Sequence, residues 1–171
     1  MALAHDIRER LLTGEDLARW PELNPCELID GRLVPMSPTG HRHGALEVAL
    51  ASELRTWARA NNAGQVLAGE VGLYIRRDPD TVRAADVLFI SEERYARVTS
   101  PAYLDVAPEL VVEILSPDDR WSEVTAKIND YLSVGVDLVW VVDDRLKQVF
   151  AYRSRAEVTV FGAGRGIEDL G

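Results

Sequence analysis

Apolar residues recur at helical spacing in two stretches of the chain, and this pattern predicts two amphipathic helices. The first runs from residue 41 to about residue 61, and Gly64 follows it as a stop signal. Its apolar positions are Leu46, Leu50, Leu54 and Trp57. The second begins at residues 116–118 and continues to about Ser133. A short helix, opened by a capping box at residues 13–16, precedes both of them.

Short apolar runs between the helices predict β-strands. Residues 110–115 and 138–142 are almost continuously apolar, which is typical of strands covered on both faces. The Asp30-Gly31 pair predicts a tight hairpin over residues 27–34. Further strand-like runs are residues 66–68, 71–75, 87–90, 149–152 and 158–161. This order of elements predicts an α/β (α+β) fold, in which helices flank one central mixed β-sheet.

The chain has 171 residues, and at ~150 residues per domain we expect a single domain over residues 1–171. Residues 1–12 and 162–171 are expected to be loose ends. The single cysteine, Cys26, excludes an intrachain disulfide. No apolar run reaches the ~18 residues of a membrane span, and charged residues come too early at the N-terminus for a signal peptide. We therefore expect a cytoplasmic protein that has no membrane partner.

The net charge of −9, from 28 acidic and 19 basic residues, argues against a protein that coats nucleic acid nonspecifically. It does not exclude nucleic acid as a substrate, because a divalent cation and a local arginine cluster can reverse the sign of the field. Five arginines surround Asp86 in the sequence, and they are Arg76, Arg77, Arg83, Arg94 and Arg97. They form either a rim that contacts phosphates or scattered solubilising charge.

Four ionisable residues stand in or beside apolar patterns, where a charge is costly. Glu113 lies in the middle of the apolar run 110–115. Asp86 stands immediately before the strand-like run 87–90. Lys127 shares a helix face with apolar residues three before and four after it, and Glu27 begins the predicted hairpin. Each also has an ordinary interpretation. These are a structural ion pair for Glu113, a turn residue for Asp86, an apolar stem with an exposed ammonium for Lys127, and an exposed strand end for Glu27.

Two neighbouring carboxylates and a lysine together indicate one kind of chemistry. Carboxylates that stay ionised near each other repel, and a hard cation such as Mg²⁺ or Mn²⁺ removes that repulsion. A lysine beside them can stabilise developing negative charge or position a water molecule. The set Asp86, Glu113 and Lys127 therefore suggests metal-assisted hydrolysis of a phosphodiester.

At these residues the sequence resembles the Uma2 family of endonucleases, which belongs to the PD-(D/E)XK restriction-endonuclease-like superfamily. The resemblance covers about residues 13–152. The matching pieces are residues 27–31, His43, Asp86, residues 113–117, Lys127, Tyr131, residues 135–136 and residues 140–143. It implies a restriction-endonuclease-like core and a Mg²⁺-dependent nuclease site that acts on DNA. Because many relatives of this fold cut duplexes as dimers, it also implies a homodimer.

The resemblance implies a role for each of the four residues. Asp86 and Glu113 would be metal ligands, and Glu27 would be an auxiliary acid at the edge of the site. In the usual pattern a lysine follows two residues after the second acid, but this position is Leu115. Lys127 on the next helix matches the family's alternative lysine. Alanine, not proline, precedes Asp86, and this change carries no chemistry.

Two further functions remain open at this point. One is a non-enzymatic interaction domain on the same fold, in which the acids form a structural ion-pair cluster, and the acidic net charge favours it. The other is a metal-dependent hydrolase of small molecules, which would have a closed pocket instead of a groove. A zinc site is excluded by the shortage of soft ligands beside His41 and His43. The tryptophans, Trp20, Trp57, Trp121 and Trp140, are expected to pack on core faces.

Overall fold

The computed structural model describes residues 10–23 and 25–162, which form one eight-stranded sheet with helices packed on it. The helices are α1 (Gly14–Arg19), α2 (His41–Asn61), α3 (Glu92–Tyr95) and α4 (Trp121–Ser133), and a 3₁₀ turn covers Pro21–Leu23. The first four strands are β1 (Cys26–Ile29), β2 (Arg32–Pro35), β3 (Gly64–Arg76) and β4 (Thr81–Ser91). The others are β5 (Leu110–Ile114), β6 (Leu138–Asp143), β7 (Gln148–Ser154) and β8 (Glu157–Gly162).

The sheet is mixed, as the sequence predicts. Its strand order is β2-β1-β4-β5-β6-β7-β8, and β3 pairs with β4 outside this path. The neighbours pair antiparallel, except that β5 and β6 run parallel and are joined through α4. A parallel pair needs such a crossover connection, whereas the hairpins need only short turns.

Alternate residues of the central strands bury themselves on opposite faces of the sheet. Val111 belongs to the core under α4, where the helix contributes Val124, Ile128 and Tyr131. Val112, the next residue, belongs to the core under α2. The helix residues packed against that second core are Leu46, Leu50 and Leu54. The two amphipathic helices therefore cover the two faces of the sheet, and the predicted fold class is confirmed.

Two strands share one edge of β4, and this arrangement produces a fork. β3 pairs with β4 along nearly its whole length, so β1 and β5 must both lie along the other edge. β5 pairs with residues 87–89 of β4, and β1 pairs with it at Val82. Residues 83–86 lie between the two ladders. Their backbone groups on this edge have no strand beside them and need other partners.

Several predicted element boundaries differ from those in the structure. The two strands predicted over 66–68 and 71–75 are one strand, β3, interrupted by a bulge at Gly69 and Glu70. Asn62, in the left-handed conformation with φ 48°, ends α2 before Gly64. The predicted helix start at 116–118 is instead a turn, in which the Asp119 side chain accepts from the Ser116 N–H at 2.7 Å, and α4 begins at Trp121.

Two of the four tryptophans are not in the core. Trp57 and Trp121 are about half exposed, at 51% and 52%, and each packs edge-on against a phenylalanine. Trp140 is buried as expected. The prediction that the Trp57 and Trp121 side chains are buried is therefore wrong. Each indole ring lies at the margin of the apolar stripe of its helix, where part of the ring stays exposed.

The predicted loose ends fall mostly on residues 1–9 and 163–171, which lie outside the described residues. Leu12 belongs to the first predicted loose end, residues 1–12, but it is buried, and its N–H donates to the Gly31 carbonyl at 2.8 Å. Within residues 10–23 and 25–162, no helix is both long and apolar enough to cross a membrane.

Candidate functional site

The four sequence-predicted site residues converge on the fork from four elements. Glu27 comes from β1, Asp86 from β4, Glu113 from β5 and Lys127 from α4. The Lys127 Nζ lies 2.9 Å from Glu113 Oε2 and 3.4 Å from Glu27 Oε1. The three acids are only 5–7% exposed. Four charges from distant parts of the sequence thus share one desolvated place.

Asp86 and Glu113 are cross-strand neighbours. The β4–β5 ladder pairs Val87 with Val112, and the two acids come next on either strand, where the pairing stops. The Ile114 N–H donates instead to Asp86 Oδ2 at 2.6 Å. The Asp86 side chain therefore takes the place of the missing ladder hydrogen bond, and this fixes it beside Glu113.

The same charged groups satisfy the unpaired backbone of β4. The Ala84 N–H donates to Glu27 Oε1 at 3.0 Å. The Ala84 carbonyl accepts from Lys127 Nζ at 3.5 Å and from the Tyr131 hydroxyl at 3.4 Å. Because a buried backbone group without a partner is costly, these contacts explain why the chain tolerates the fork.

Two further residues complete the cluster, and sequence reasoning did not single them out as site residues. The Tyr131 hydroxyl donates to Glu113 Oε1 at 2.6 Å, so both oxygens of that carboxylate are held. Arg83 donates to Glu27 Oε2 at 2.8 Å and to Asp130 Oδ2 at 2.7 Å. Tyr131 reads as an ordinary core residue of an apolar helix stripe. Arg83 had one signal in the sequence, since it is a charged residue between Val82 and Ala84.

His43, which is among the residues that match the Uma2 family but was given no role in the site, contacts the site from the other side. Its Nε2 lies 3.2 Å from Asp86 Oδ1, and both side chains are 9% exposed. This contact lacks the direction of a hydrogen bond, so Nε2 is buried without one. Its Nδ1 lies 3.4 Å from the Ser116 hydroxyl.

Burial and charge shift the pKa values in the cluster. Burial raises the pKa of Glu113 to about 7 against the attraction of Lys127, and the Asp86 carboxylate adds to this rise. Burial alone would lower the pKa of Lys127, but Glu113 and Glu27 outweigh it and raise the value. Contact with Asp86 raises the pKa of His43 despite its burial. The cluster thus favours a charged lysine and a carboxyl at Glu113 that titrates near neutral pH.

The donor atoms fit a hard divalent cation in their chemistry. Asp86 and Glu113 offer carboxylate oxygens, and Mg²⁺ is usually held by one or two carboxylates while it keeps several water molecules. Among the described residues no group of three or more His, Cys, Asp or Glu side chains is placed to hold a metal ion. A cation here would therefore depend on two protein carboxylates and on oxygens from water or substrate.

Two recesses flank the cluster. A cavity of about 320 Å³ lies on the α2 side, where His43, Ile114 and Ser116 line it. A cavity of about 480 Å³ lies on the α4 side, where Arg83 and Asp130 line it. The side chains of Asp86, Glu113 and Lys127 line neither cavity.

Four of the five arginines around Asp86 pair with carboxylates of the protein itself. Arg83 belongs to the cluster described above. The other pairs are Arg76 with Asp30, Arg77 with Glu15 at 2.6 Å, and Arg94 with Glu109 at 3.1 Å. This arrangement does not favour the predicted phosphate-contacting rim over the structural interpretation of these charges.

Comparisons with known proteins identify a family and a fold. The family model Uma2, described as "Putative restriction endonuclease", matches residues 15–169. A crystal structure from Anabaena variabilis, described as a "putative nuclease belonging to DUF820", is similar in fold with a TM-score of 0.71. The two are 23% identical, and the similarity covers 88% of this chain and 84% of that one. No curated protein matches the chain. The match over most of the sequence shows that the chain belongs to the Uma2 family.

Proposed function

We propose that the protein is a Mg²⁺-dependent DNA endonuclease that hydrolyses phosphodiester bonds at the fork of the sheet. The family description supports a nuclease, and a nuclease-like protein shares the fold. The observation that carries the proposal is the contact of 2.9 Å between Lys127 and Glu113, beside Asp86. Lys127 would supply from a helix the charge that the usual pattern supplies two residues after the second acid, at the position of Leu115.

Asp86 and Glu113 would hold Mg²⁺ or Mn²⁺. When bound, such an ion polarises a phosphate and lowers the pKa of an attacking water molecule. Lys127 stabilises negative charge that develops on the phosphate, or orients the water, because its ammonium lies 2.9 Å from Glu113 Oε2. Glu27 and Tyr131 hold Lys127 and Glu113 in place through the contacts described above.

The test is the nicking of supercoiled plasmid DNA in Mn²⁺ and in EDTA. We expect nicking by the wild type in Mn²⁺ and none in EDTA. Lys127→Ala should lower the rate at least ~100-fold, since removal of one group that stabilises the transition-state charge costs this much. The matched control is Lys147→Ala, because Lys147 is the only other lysine and its side chain is 65% exposed. Wild-type protein that does not nick DNA in any divalent cation would contradict the proposal.

A second candidate function is a non-enzymatic interaction domain. The observation that favours it is that Glu27, Glu113 and Lys127 already satisfy one another, as a purely structural ion-pair cluster would. The net charge of −9 also favours a partner other than DNA. The two functions are distinguished by Mg²⁺ or Mn²⁺, which should raise the melting temperature of the nuclease and leave that of the interaction domain unchanged.

We also propose that the protein acts as a homodimer, because cleavage of both strands of a duplex is simplest with two sites. Light scattering coupled to gel filtration tests this at micromolar protein concentration. The expected mass is twice that of the chain, and a mass of one chain under all conditions would exclude the dimer.

A further inference from the structure

We propose that His43 is a positioning residue that fixes the carboxylate of Asp86 for cation binding. This inference rests on the proposed function, because it concerns the same site. It adds a residue from α2, the helix on the opposite face of the sheet from Lys127.

The geometry gives His43 two polar neighbours and almost no solvent. It is the third residue of α2, and the imidazole is 9% exposed. Its Nδ1 faces the Ser116 hydroxyl at 3.4 Å, and its Nε2 faces Asp86 Oδ1 at 3.2 Å. Ser116 lies two residues after the end of β5, so the ring connects the Asp86 carboxylate to the loop that follows the Glu113 strand.

Asp86 favours a ring proton on Nε2, because a carboxylate oxygen can only accept a hydrogen bond, whereas the Ser116 hydroxyl beside Nδ1 can donate or accept. A hydroxyl that donates to Nδ1 leaves the proton on Nε2, the atom that faces Asp86. Nε2 has no other hydrogen-bond partner among the described residues, so its donor capacity is available to Asp86. A small rotation of either side chain would bring this N–H into line with Oδ1.

The two oxygens of Asp86 are then oriented from two different elements. The Ile114 N–H of β5 holds Oδ2 at 2.6 Å, and His43 of α2 faces Oδ1. The backbone amide and the His43 ring approach the carboxylate from two different elements, and together they fix its orientation. Partners that orient a ligand carboxylate in this way set the affinity of metal sites.

The experiment measures the affinity for Mn²⁺ alone by calorimetry, without DNA. We expect His43→Leu to weaken Mn²⁺ binding by about 10-fold to 100-fold, the usual effect of removing an outer partner. His43→Gln places an amide N–H near the position of Nε2 and should stay within about threefold of the wild type. Ser116→Ala removes the hydroxyl that contacts Nδ1 and holds the ring in place, and it should weaken binding several-fold.

The matched control is His41→Leu, because His41 lies on the same helical turn and is exposed. It should leave Mn²⁺ affinity unchanged. Melting temperatures in EDTA report folding separately. A purely structural role would lower the melting temperature of His43→Leu and would give no recovery of Mn²⁺ affinity in His43→Gln.

The outcomes separate this inference from the proposed function. If Asp86→Asn abolishes Mn²⁺ binding while His43→Leu and Ser116→Ala bind like the wild type, the positioning role is wrong and the metal site stands. If His43→Leu does not fold, the comparison of Ser116→Ala with the wild type decides in the same way. If the wild type does not bind Mn²⁺, the proposed function fails and this inference fails with it.

Discussion

Glu113 has the most constrained environment among the residues of the site. Its carboxylate is buried, lies beside Asp86, and is held by Lys127 at one oxygen and by Tyr131 at the other. Burial raises its pKa to about 7 in the folded protein, whereas the unfolded value is near 4.5. The folded state therefore binds this proton more tightly than the unfolded state does, and folding stability depends on pH.

We predict that the free energy of unfolding falls as pH rises from about 4.5 to about 7 because of this one carboxyl. The sign follows from the raised pKa, since stability gained by proton binding is lost when the folded protein releases the proton. At about 1.4 kcal/mol per pKa unit, the effect is at most about 3–4 kcal/mol. Urea titrations of the wild type and of Glu113→Gln at pH 5 and pH 8 measure it.

The variant Glu113→Gln should show a smaller change in stability between these pH values than the wild type. Glu53→Gln, at an exposed position of α2, is the matched control and should follow the wild type. Parallel pH profiles for the wild type and Glu113→Gln would show that Glu113 is ionised to the same extent in both states, contrary to its described environment.

Sequence reasoning identified the residues whose charge conflicts with their surroundings. Glu113 and Lys127 stand out in this way, because their neighbours in the strand and on the helix face are apolar. Glu27 looks like an exposed strand end on its own, but it is 5% exposed, since β1 docks against β4 beside Arg83. Tyr131 and His43 are among the pieces that match the Uma2 family, but no local pattern gives them a role in the site, because that role depends on which strands they face.

At the scale of elements, the fork depends on the close packing of β3 and β4. Gly64 begins β3 and pairs with Ser91, at the end of β4. It has φ 153°, and a Cβ atom there would lie 2.2 Å from the Ile90 carbonyl oxygen. Only glycine fits this position without displacing backbone.

We predict opposite effects for two glycine substitutions. Gly64→Ala should destabilise the protein by about 1–3 kcal/mol, because the new methyl group collides with the backbone of β4. Gly44→Ala should stabilise it by about 0.5–1 kcal/mol, since Gly44 lies inside α2 and a Cβ atom would meet nothing within 4 Å. Chemical denaturation of both variants measures the difference, and effects of the same sign would contradict the described packing.

The elements themselves were largely predictable, and their ends were less so. The helical spacing of apolar residues gave the extent of α2, His41–Asn61, correctly. The start of α4 was wrong because Asp119 turns its side chain back to the Ser116 N–H, a local competition that periodicity does not show. The pairing of β1 and β5 with the same edge of β4 could not be predicted, because nothing in either strand specifies its neighbour.

At the scale of the whole molecule, charge should make DNA binding depend on divalent cations. The net charge is −9, and four arginines near Asp86 are paired with acids of the protein. We predict weak binding of duplex DNA in EDTA, and tighter binding when Ca²⁺, which binds oxygen ligands, replaces EDTA. Fluorescence anisotropy with a labelled duplex tests this at low ionic strength. Tight binding in EDTA that falls steeply with salt would show an extensive basic surface instead.

The most direct test of the account is a crystal structure of the wild type grown with Mn²⁺, with data collected at the manganese absorption edge. The anomalous signal locates the ion without any assumption about activity. We predict one Mn²⁺ ion bonded, at about 2.1 Å, to carboxylate oxygens of both Asp86 and Glu113. Crystals saturated with Mn²⁺ that show no ion at these two carboxylates, with Lys127 still paired to Glu113, would contradict it.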